Sequence, residues 1–157
     1  MTRIVAIGEC MVEMAPVATK GQFRLGYAGD TLNAAWYLRR LLGASDQIDY
    51  FTAVGTDAVS DKMIDFLQQA GIGTACILRR DDKGVGLYMI QLPDGERSFS
   101  YWRSGSAARS LAADQVPIQA ALDNADLAYF SGITLALLPP ADRARLLTAL
   151  RRFRSGG

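Results

Sequence analysis

The sequence contains no histidine among its 157 residues. This absence excludes several kinds of site within the chain: histidine general bases, serine–histidine–aspartate triads, cysteine–histidine dyads and zinc sites built on imidazole. Cysteine is scarce as well, since only Cys10 and Cys76 occur, far apart and without a Cys-x-x-Cys spacing. We therefore interpret both as small apolar residues of a protein in a reducing compartment.

An excess of charge of one sign and a long apolar run are also missing. Seventeen lysines and arginines nearly balance sixteen aspartates and glutamates, and the net charge of +1 gives no electrostatic footprint for nucleic acid. The first apolar run, residues 4–7, meets Gly8 and Glu9 at once, so it is too short for a signal peptide or a membrane span. We expect a cytoplasmic protein that binds neither nucleic acid nor membrane.

The sequence does contain an alternation of short apolar runs with segments of helical periodicity, in a length that suits one packed core. The predicted strands cover residues 4–7, 48–54 and 127–131, and the first and last of them are predicted to be buried. The predicted helices cover about 30–42, 60–70 and 141–153, with Gly43 and Gly71 as helix stops and Pro140 as a helix start. The first strand is expected to lie centrally in a largely parallel sheet. This pattern predicts an α/β layer fold with an inserted antiparallel β-sheet.

The inserted sheet is predicted from residues 76–102, where the periodicity changes to two. An Asp-Gly turn inside this segment supplies hairpin chemistry, and a loop of two or four residues gives the same register. Tyr88 then lies opposite Tyr101, and Gly86 lies opposite Arg103. The sequence therefore predicts the cross-strand neighbours as well as the hairpin.

Side-chain alternation along these strands places Tyr88, Tyr101 and Arg103 on one face together with Phe99, whereas Trp102 points to the other face. Two phenols and a guanidinium could form a pocket wall, and a guanidinium matches a carboxylate through paired N–H donors. The alternative for the tyrosines is cross-strand aromatic packing. For Trp102 we favour packing in a core or an interface.

A second candidate is the glycine-led turn at residues 27–35, which enters a predicted helix. Gly29 would let a ligand approach the backbone, and the helix amino terminus offers free N–H donors. Asp30 and Asn33 add an acceptor and an amide one helical turn apart, which suits a polyhydroxylated ligand. The alternative is an ordinary helix start without a ligand, capped by Asp30 or Thr31.

Other strand ends carry weaker signals. The segment Val54–Asp57 could bind a ligand, but we favour a strand-to-helix turn with Asp57 as the cap. Glu9 and Glu13 flank the end of the first strand, where ligands gather in open α/β sheets, and either could approach a sugar hydroxyl. Neither a P-loop nor a Rossmann glycine pattern is present, which argues against nucleotide binding by those routes.

Taken in order, four segments resemble the amino-terminal half of the ribokinase-like (phosphofructokinase-B) sugar kinases. They are residues 7–13 (Ile-Gly-Glu-Cys-Met-Val-Glu), 28–35 (Ala-Gly-Asp-Thr-Leu-Asn-Ala-Ala), 54–57 (Val-Gly-Thr-Asp) and 101–103 (Tyr-Trp-Arg). The Gly-Asp-x-x-Asn segment is shared across the superfamily. Tyr88 with Tyr101 and Arg103 points to the branch that phosphorylates 2-keto-3-deoxygluconate.

The resemblance implies a three-layer α/β/α core carrying a small β-sheet lid, with the lid strands drawn from about 15–27 and 76–104. It also implies a set of substrate-binding residues, with Arg103 facing the substrate carboxylate: Gly29, Asp30, Asn33, Tyr88, Tyr101, Arg103 and Ile133. The implied reaction is transfer of the ATP γ-phosphoryl group to the terminal hydroxyl of the sugar acid with Mg²⁺. Fructokinase or ribokinase activity, and a non-catalytic sugar-acid binding module, are the alternatives.

The chain also departs from the family. Members have roughly twice this length, and their second half carries a Gly-Ala-Gly-Asp motif that supplies the aspartate base and the anion hole, which residues 1–157 lack. We therefore expect the amino-terminal part of one domain, ending at a helix stop, without the catalytic base or most of the ATP and Mg²⁺ site. The outer lid face, with Trp102 and Met89, is expected to form a homodimer or a higher homo-oligomer.

Overall fold

The computed structural model describes residues 1–156, the side chain of Asp94 excepted. The strands are β1 Arg3–Ile7, β2 Met11–Pro16, β3 Phe23–Ala28, β4 Gln47–Phe51, β5 Ala53–Gly55, β6 Leu78–Arg80, β7 Leu87–Gln91, β8 Ser98–Trp102 and β9 Leu127–Phe130. The helices are α1 Asp30–Leu41, α2 Ala58–Gln69, α3 Gln115–Leu122, α4 Gly132–Leu137 and α5 Pro140–Ser155, with 3-10 turns at Pro93–Gly95 and Ala107–Ser110. No helix within residues 1–156 is long and apolar enough to cross a membrane.

The central sheet is parallel and has the order β4-β1-β9, which confirms the central position of the first strand. Side chains of β1 alternate between its two faces. Val5 and Ile7 pack with α3 and α5 residues such as Leu146, while Ile4 and Ala6 pack with α1 and α2 residues. The four side chains of residues 4–7 are apolar and buried, with only Arg3 at the start of β1 partly exposed, and the fold has the three layers α/β/α.

The inserted sheet, called the lid sheet below, has the order β3-β2-β7-β8 and lies beyond the carboxyl end of β1. Its β2–β3 and β7–β8 pairs are antiparallel as predicted, whereas β2 and β7 run parallel. Its β7–β8 hairpin pairs Tyr88 with Tyr101 and Leu87 with Trp102, which confirms the predicted register. The 3-10 turn that joins the strands ends at Gly95, whose φ of 85° favours glycine. Trp102 is 58% exposed, so it is not a core residue of this chain.

Two predicted strand assignments differ from the structure. Residues 48–54 form two strands, because the chain leaves the central sheet after Phe51 and the carbonyl of Thr52 accepts from the amide of Leu78. Strand β5 then pairs in parallel with β6, so Leu78–Arg80 belongs to this two-stranded sheet and not to the lid sheet. Alternating polarity cannot show which neighbour a short strand will pair with.

The last predicted strand was expected to be buried, and that expectation is wrong for this chain. Strand β9 forms one edge of the three-stranded sheet, and Leu127 is 47% exposed.

Both ends of α1 differ in detail from the predicted ones. Gly29 is the residue before α1 and no side chain caps the helix, while α1 ends with an extended Leu42 ahead of Gly43. Gly71, with a φ of 75°, does follow α2 as predicted.

Candidate functional site

The candidate site surrounds the carboxyl end of β1, where the lid sheet and two helix starts converge. Gly8 marks how close they come, because a Cβ atom there would lie 2.3 Å from Oγ1 of Thr31 in α1 and 2.9 Å from Oγ1 of Thr134 in α4. Thr134 in turn donates to the carbonyl of Ile7. The end of β1 therefore has room only for glycine, and it sits between two helix amino termini.

The start of α1 places the first group of predicted site residues. A Cβ atom on Gly29 would lie 2.3 Å from the carbonyl oxygen of Glu9, so glycine allows the helix to begin against the end of β1. Asp30 is half-buried and Asn33 is exposed, and neither side chain forms a hydrogen bond or ion pair with the rest of residues 1–156. Asn33 lines a cleft of about 600 Å³ that Glu13 also lines.

The inner face of the lid carries an aromatic cluster. The rings of Tyr88 and Tyr101 lie 5.8 Å apart, and Phe99 lies 6.2 Å from Tyr88 and 6.3 Å from Tyr101. The predicted aromatic packing is therefore present. The Tyr88 hydroxyl also donates to Oε2 of Glu13, and burial together with this bond raises its pKa. A ligand under the lid would meet a phenol, a carboxylate and exposed rings.

Arg103 follows β8 and pairs with Glu9. Its Nη2 lies 2.5 Å from Oε2 of Glu9, whose side chain is only 3% exposed, against 27% for Arg103. The Ser106 hydroxyl donates to the other oxygen of Glu9 at 2.6 Å. Gly86 completes the packing, because a Cβ atom there would lie 2.9 Å from Oε1 of Glu9. Glu9 therefore ties the end of β1 to the base of the lid.

Burial raises the pKa of Glu9, while the Ser106 hydrogen bond and the positive charges of Arg103 and Arg109 act in the opposite direction. The carboxyl end of β1 thus holds a nearly enclosed carboxylate that needs its cationic neighbours to stay ionised. Sequence reasoning placed Glu9 near the site but gave it no partner, and it did not single out Ser106 or Arg109.

Ile133, at the start of α4, is 52% exposed and lines a cleft of about 400 Å³ with Arg103 and Arg109. The structure thus brings Arg103 and Ile133 together, while Asn33 lies in the other cleft, beside Glu13. Within residues 1–156 no group of three or more histidine, cysteine, aspartate or glutamate side chains could hold a metal ion.

The residues at the other strand end have a structural role. Oδ1 of Asp57 accepts from the amides of Val59 and Ser60, so Asp57 caps α2 as favoured from the sequence. Its second oxygen accepts from the Ser60 hydroxyl at 2.8 Å. Both carboxylate oxygens of Asp57 therefore accept hydrogen bonds at the start of α2.

Comparison with known proteins shows which family the chain resembles. The family model described as pfkB family carbohydrate kinase matches residues 1–155. The chain is 42% identical over 163 residues to the 2-dehydro-3-deoxygluconokinase of Haemophilus influenzae, covering 100% of this chain and 51% of that protein. It is 44% identical over 161 residues to the enzyme of the same name from Dickeya dadantii, covering 98% of this chain and 50% of that protein.

Solved structures show the same fold. The crystal structure of 2-dehydro-3-deoxygluconokinase from Thermotoga maritima superposes with a TM-score of 0.81 at 22% identity, over 97% of this chain and 48% of that one. An ATP-bound fructokinase from Xylella fastidiosa gives a TM-score of 0.63 at 22% identity, over 94% of this chain and 55% of that one. The chain spans about half the length of the curated relatives that it matches. With a family match over nearly every residue, the chain belongs to the pfkB family of carbohydrate kinases.

Proposed function

We propose that this chain forms the sugar-binding part of an ATP-dependent kinase for 2-dehydro-3-deoxygluconate, the sugar acid also called 2-keto-3-deoxygluconate. The enzyme would transfer the γ-phosphoryl group to the terminal (C6) hydroxyl. The observation that carries the proposal is at the lid base, where the rings of Tyr88 and Tyr101 lie 5.8 Å apart and Arg103, two residues after Tyr101, pairs with Glu9 beyond the carboxyl end of β1. The name shared by relatives that are 38–44% identical supports the substrate.

In this proposal the sugar lies between α1 and the lid. Gly29, Asp30 and Asn33 bind sugar hydroxyls, because the uncapped start of α1 leaves N–H donors free and Asp30 can accept from two hydroxyls. Tyr88 and Tyr101 cover the ring from the lid. Arg103 reaches the carboxylate and Ile133 forms the wall opposite, as the 400 Å³ cleft that they share would allow.

ATP and Mg²⁺ are part of the proposal as co-substrate and metal, and both would be bound mainly by the part of the enzyme that this chain does not span. The aspartate base is expected there too. The contribution of residues 1–156 is to orient the sugar and, through the lid, to exclude water that would otherwise compete as the phosphoryl acceptor. A cytoplasmic location stays a prediction, which two free cysteines fit.

We also propose a homodimer, or a higher homo-oligomer, through the outer face of the lid. Trp102 on this face is 58% exposed, and Met89 lies on the same face two residues along β7 from Leu87, the residue opposite Trp102. Leu25 on β3 is 56% exposed as well. An apolar sheet face of this kind is commonly covered by a second subunit.

Titration calorimetry on the chain tests the substrate. We expect 2-keto-3-deoxygluconate to bind more tightly than the neutral sugars fructose and ribose. Asn33→Ala should raise the dissociation constant about tenfold, because the substitution removes one or two hydrogen bonds to the sugar. Lys62→Ala, on the exposed surface of α2, is the matched control. Tighter binding of fructose or ribose would support the corresponding neutral-sugar kinase and overturn the proposed substrate.

A complementation assay tests the reaction. The chain is mixed with the carboxy-terminal half of the Haemophilus influenzae relative, and ADP formation is followed with and without the sugar acid. Sugar-dependent ADP formation is the expected result. Sequencing the gene beyond Gly157 supplies a second test, because a continuing frame with a Gly-Ala-Gly-Asp segment supports the kinase, whereas an immediate stop codon favours a non-catalytic binding module.

A further inference from the structure

We propose that Arg109 is a specificity-determining residue that supplies the net positive charge for the substrate carboxylate, with Arg103 acting as its partner in the same cleft. This inference rests on the proposed function, since it names the group that selects a sugar acid over a neutral sugar. Sequence reasoning assigned the carboxylate to Arg103 alone.

The charge balance around Glu9 is the first step. Arg103 lies 2.5 Å from a carboxylate that is 3% exposed, so the pair as a whole is close to neutral. A second carboxylate that approached Arg103 would meet the negative charge of Glu9 on the far side of the same guanidinium. Arg103 can still donate N–H bonds that fix the geometry, but the pair alone provides little net attraction for an anion.

Arg109 is the second cation of this cleft, beside the Arg103–Glu9 ion pair. It lines the same 400 Å³ cleft as Arg103, and no carboxylate of residues 1–156, the side chain of Asp94 apart, forms an ion pair with it. Its charge nevertheless reaches Glu9, because it acts to lower the pKa of that carboxyl. Two guanidiniums beside one carboxylate leave a net charge of about +1 at this end of the cleft.

The backbone holds Arg109 in place. It sits in the 3-10 turn Ala107–Ser110, where its amide donates to the carbonyl of Ser106 and the amide of Ala107 donates to the carbonyl of Gly84. Ala107 and Ala108 are buried against the core. A short turn anchored on both sides presents the side chain from a fixed position, which lowers the entropy lost on binding.

The rest of the cleft suits the carboxylate end of a 3-deoxy acid. Ile133, Ala136 and Leu137 form an apolar wall next to the two guanidiniums. In 2-keto-3-deoxygluconate the carboxylate is followed by a carbonyl and then by a methylene that carries no hydroxyl. A cationic corner with an apolar wall matches this order, whereas a fully hydroxylated neutral sugar would place hydroxyls against the apolar wall.

Calorimetric titrations of the sugar acid and of fructose into four forms of the chain test the inference. The forms are the unsubstituted chain, Arg109→Leu, Arg109→Lys and the control Arg151→Leu, which removes the same charge from the exposed surface of α5. We expect Arg109→Leu to weaken the acid by about tenfold or more and fructose by less than about twofold, with Arg109→Lys intermediate, because charge is kept while the planar donor pair is lost. Circular dichroism and thermal unfolding verify that each variant is folded.

The outcomes separate this inference from the proposed function. If the unsubstituted chain does not prefer the acid, the proposed function fails. If it does prefer the acid and Arg109→Leu keeps that preference, only the role of Arg109 is overturned. Equal weakening of both sugars also overturns it, since that result indicates a structural role or a contact common to both ligands. Should Arg109→Leu not fold, the loss of preference in Arg109→Lys decides the question in the same way.

Discussion

Replacement of Arg103 by leucine gives the sharpest prediction for this fold. The substitution removes the positive charge that lies 2.5 Å from Oε2 of Glu9, whose side chain is 3% exposed in the unsubstituted chain. A buried carboxylate that loses its partner either stays charged at a high desolvation cost or takes up a proton. We therefore expect Arg103→Leu to destabilise the chain, and the loss to depend on pH.

Proton uptake limits the size of this effect. A glutamate has an ordinary pKa of 4.5, and burial already raises that of Glu9 in the folded chain. Each pH unit above the ordinary value adds about 1.4 kcal/mol to the cost of protonation, so the electrostatic loss is at most about 3.4 kcal/mol at pH 7 and about 0.7 kcal/mol at pH 5. The sign follows from linkage. Between 4.5 and the raised pKa, the folded chain holds a proton that the unfolded chain has released, so stability falls as pH rises.

Urea unfolding at pH 5 and pH 7 measures the free energy of unfolding for Arg103→Leu, Glu9→Gln, the double variant and the unsubstituted chain. We expect Arg103→Leu to cost more at pH 7 than at pH 5 when Glu9 is present. In the Glu9→Gln background the same change should cost equally at both pH values, since glutamine does not titrate. An equal cost at both pH values with Glu9 present would refute the reasoning.

Further substitutions probe other contacts. Gly86→Ala should destabilise the chain by about 1–3 kcal/mol and weaken sugar-acid binding, because the new methyl would lie 2.9 Å from Oε1 of Glu9. The control Gly105→Ala, whose new methyl would have no atom within 4 Å, should be neutral in the same urea and calorimetric titrations. Asp57→Ala should cost about 1 kcal/mol through loss of the α2 cap, read as a lower midpoint of thermal unfolding, and an unchanged midpoint would contradict the cap. Trp102→Ser should shift a lid-mediated dimer towards monomer in sedimentation velocity, and an unsubstituted chain that is monomeric at micromolar concentration would rule that interface out.

The sequence predicts most of this fold, because the signals involved are local. Strand β1 is apolar at each position that its two helical layers cover, and the Asp-Gly turn sets the register of Tyr88 and Tyr101. Exposure of β9 was not predictable, since an apolar run does not reveal how many neighbours the strand has. The split between β4 and β5 was missed for a similar reason: the partner of β5 lies more than twenty residues away, at β6.

The same distinction, between local sequence signals and contacts of distant elements, applies to the candidate site. Period two predicts Arg103 on the lid face that carries Tyr88 and Tyr101, but nothing in the local sequence shows that Glu9 meets Arg103 or that Ser106 binds the same carboxylate. Such pairings depend on how the lid sheet returns over β1, which is a tertiary property. Sequence spacing within one hairpin can be read, whereas contacts between separate elements require the fold.

Counting charges along the sequence therefore misjudges the electrostatics of the site. The motif Tyr101-x-Arg103 suggests a free guanidinium, yet the structure gives that guanidinium a buried partner in Glu9, and a cation outside the motif shares its cleft. A carboxylate partner of this kind fixes the direction of the arginine side chain at the cost of its net charge. Under the proposed function, selection of an acidic sugar then requires a second cation, and we infer that Arg109 provides it. In this proposal Arg103 orients the substrate carboxylate and Arg109 supplies the net positive charge that attracts it.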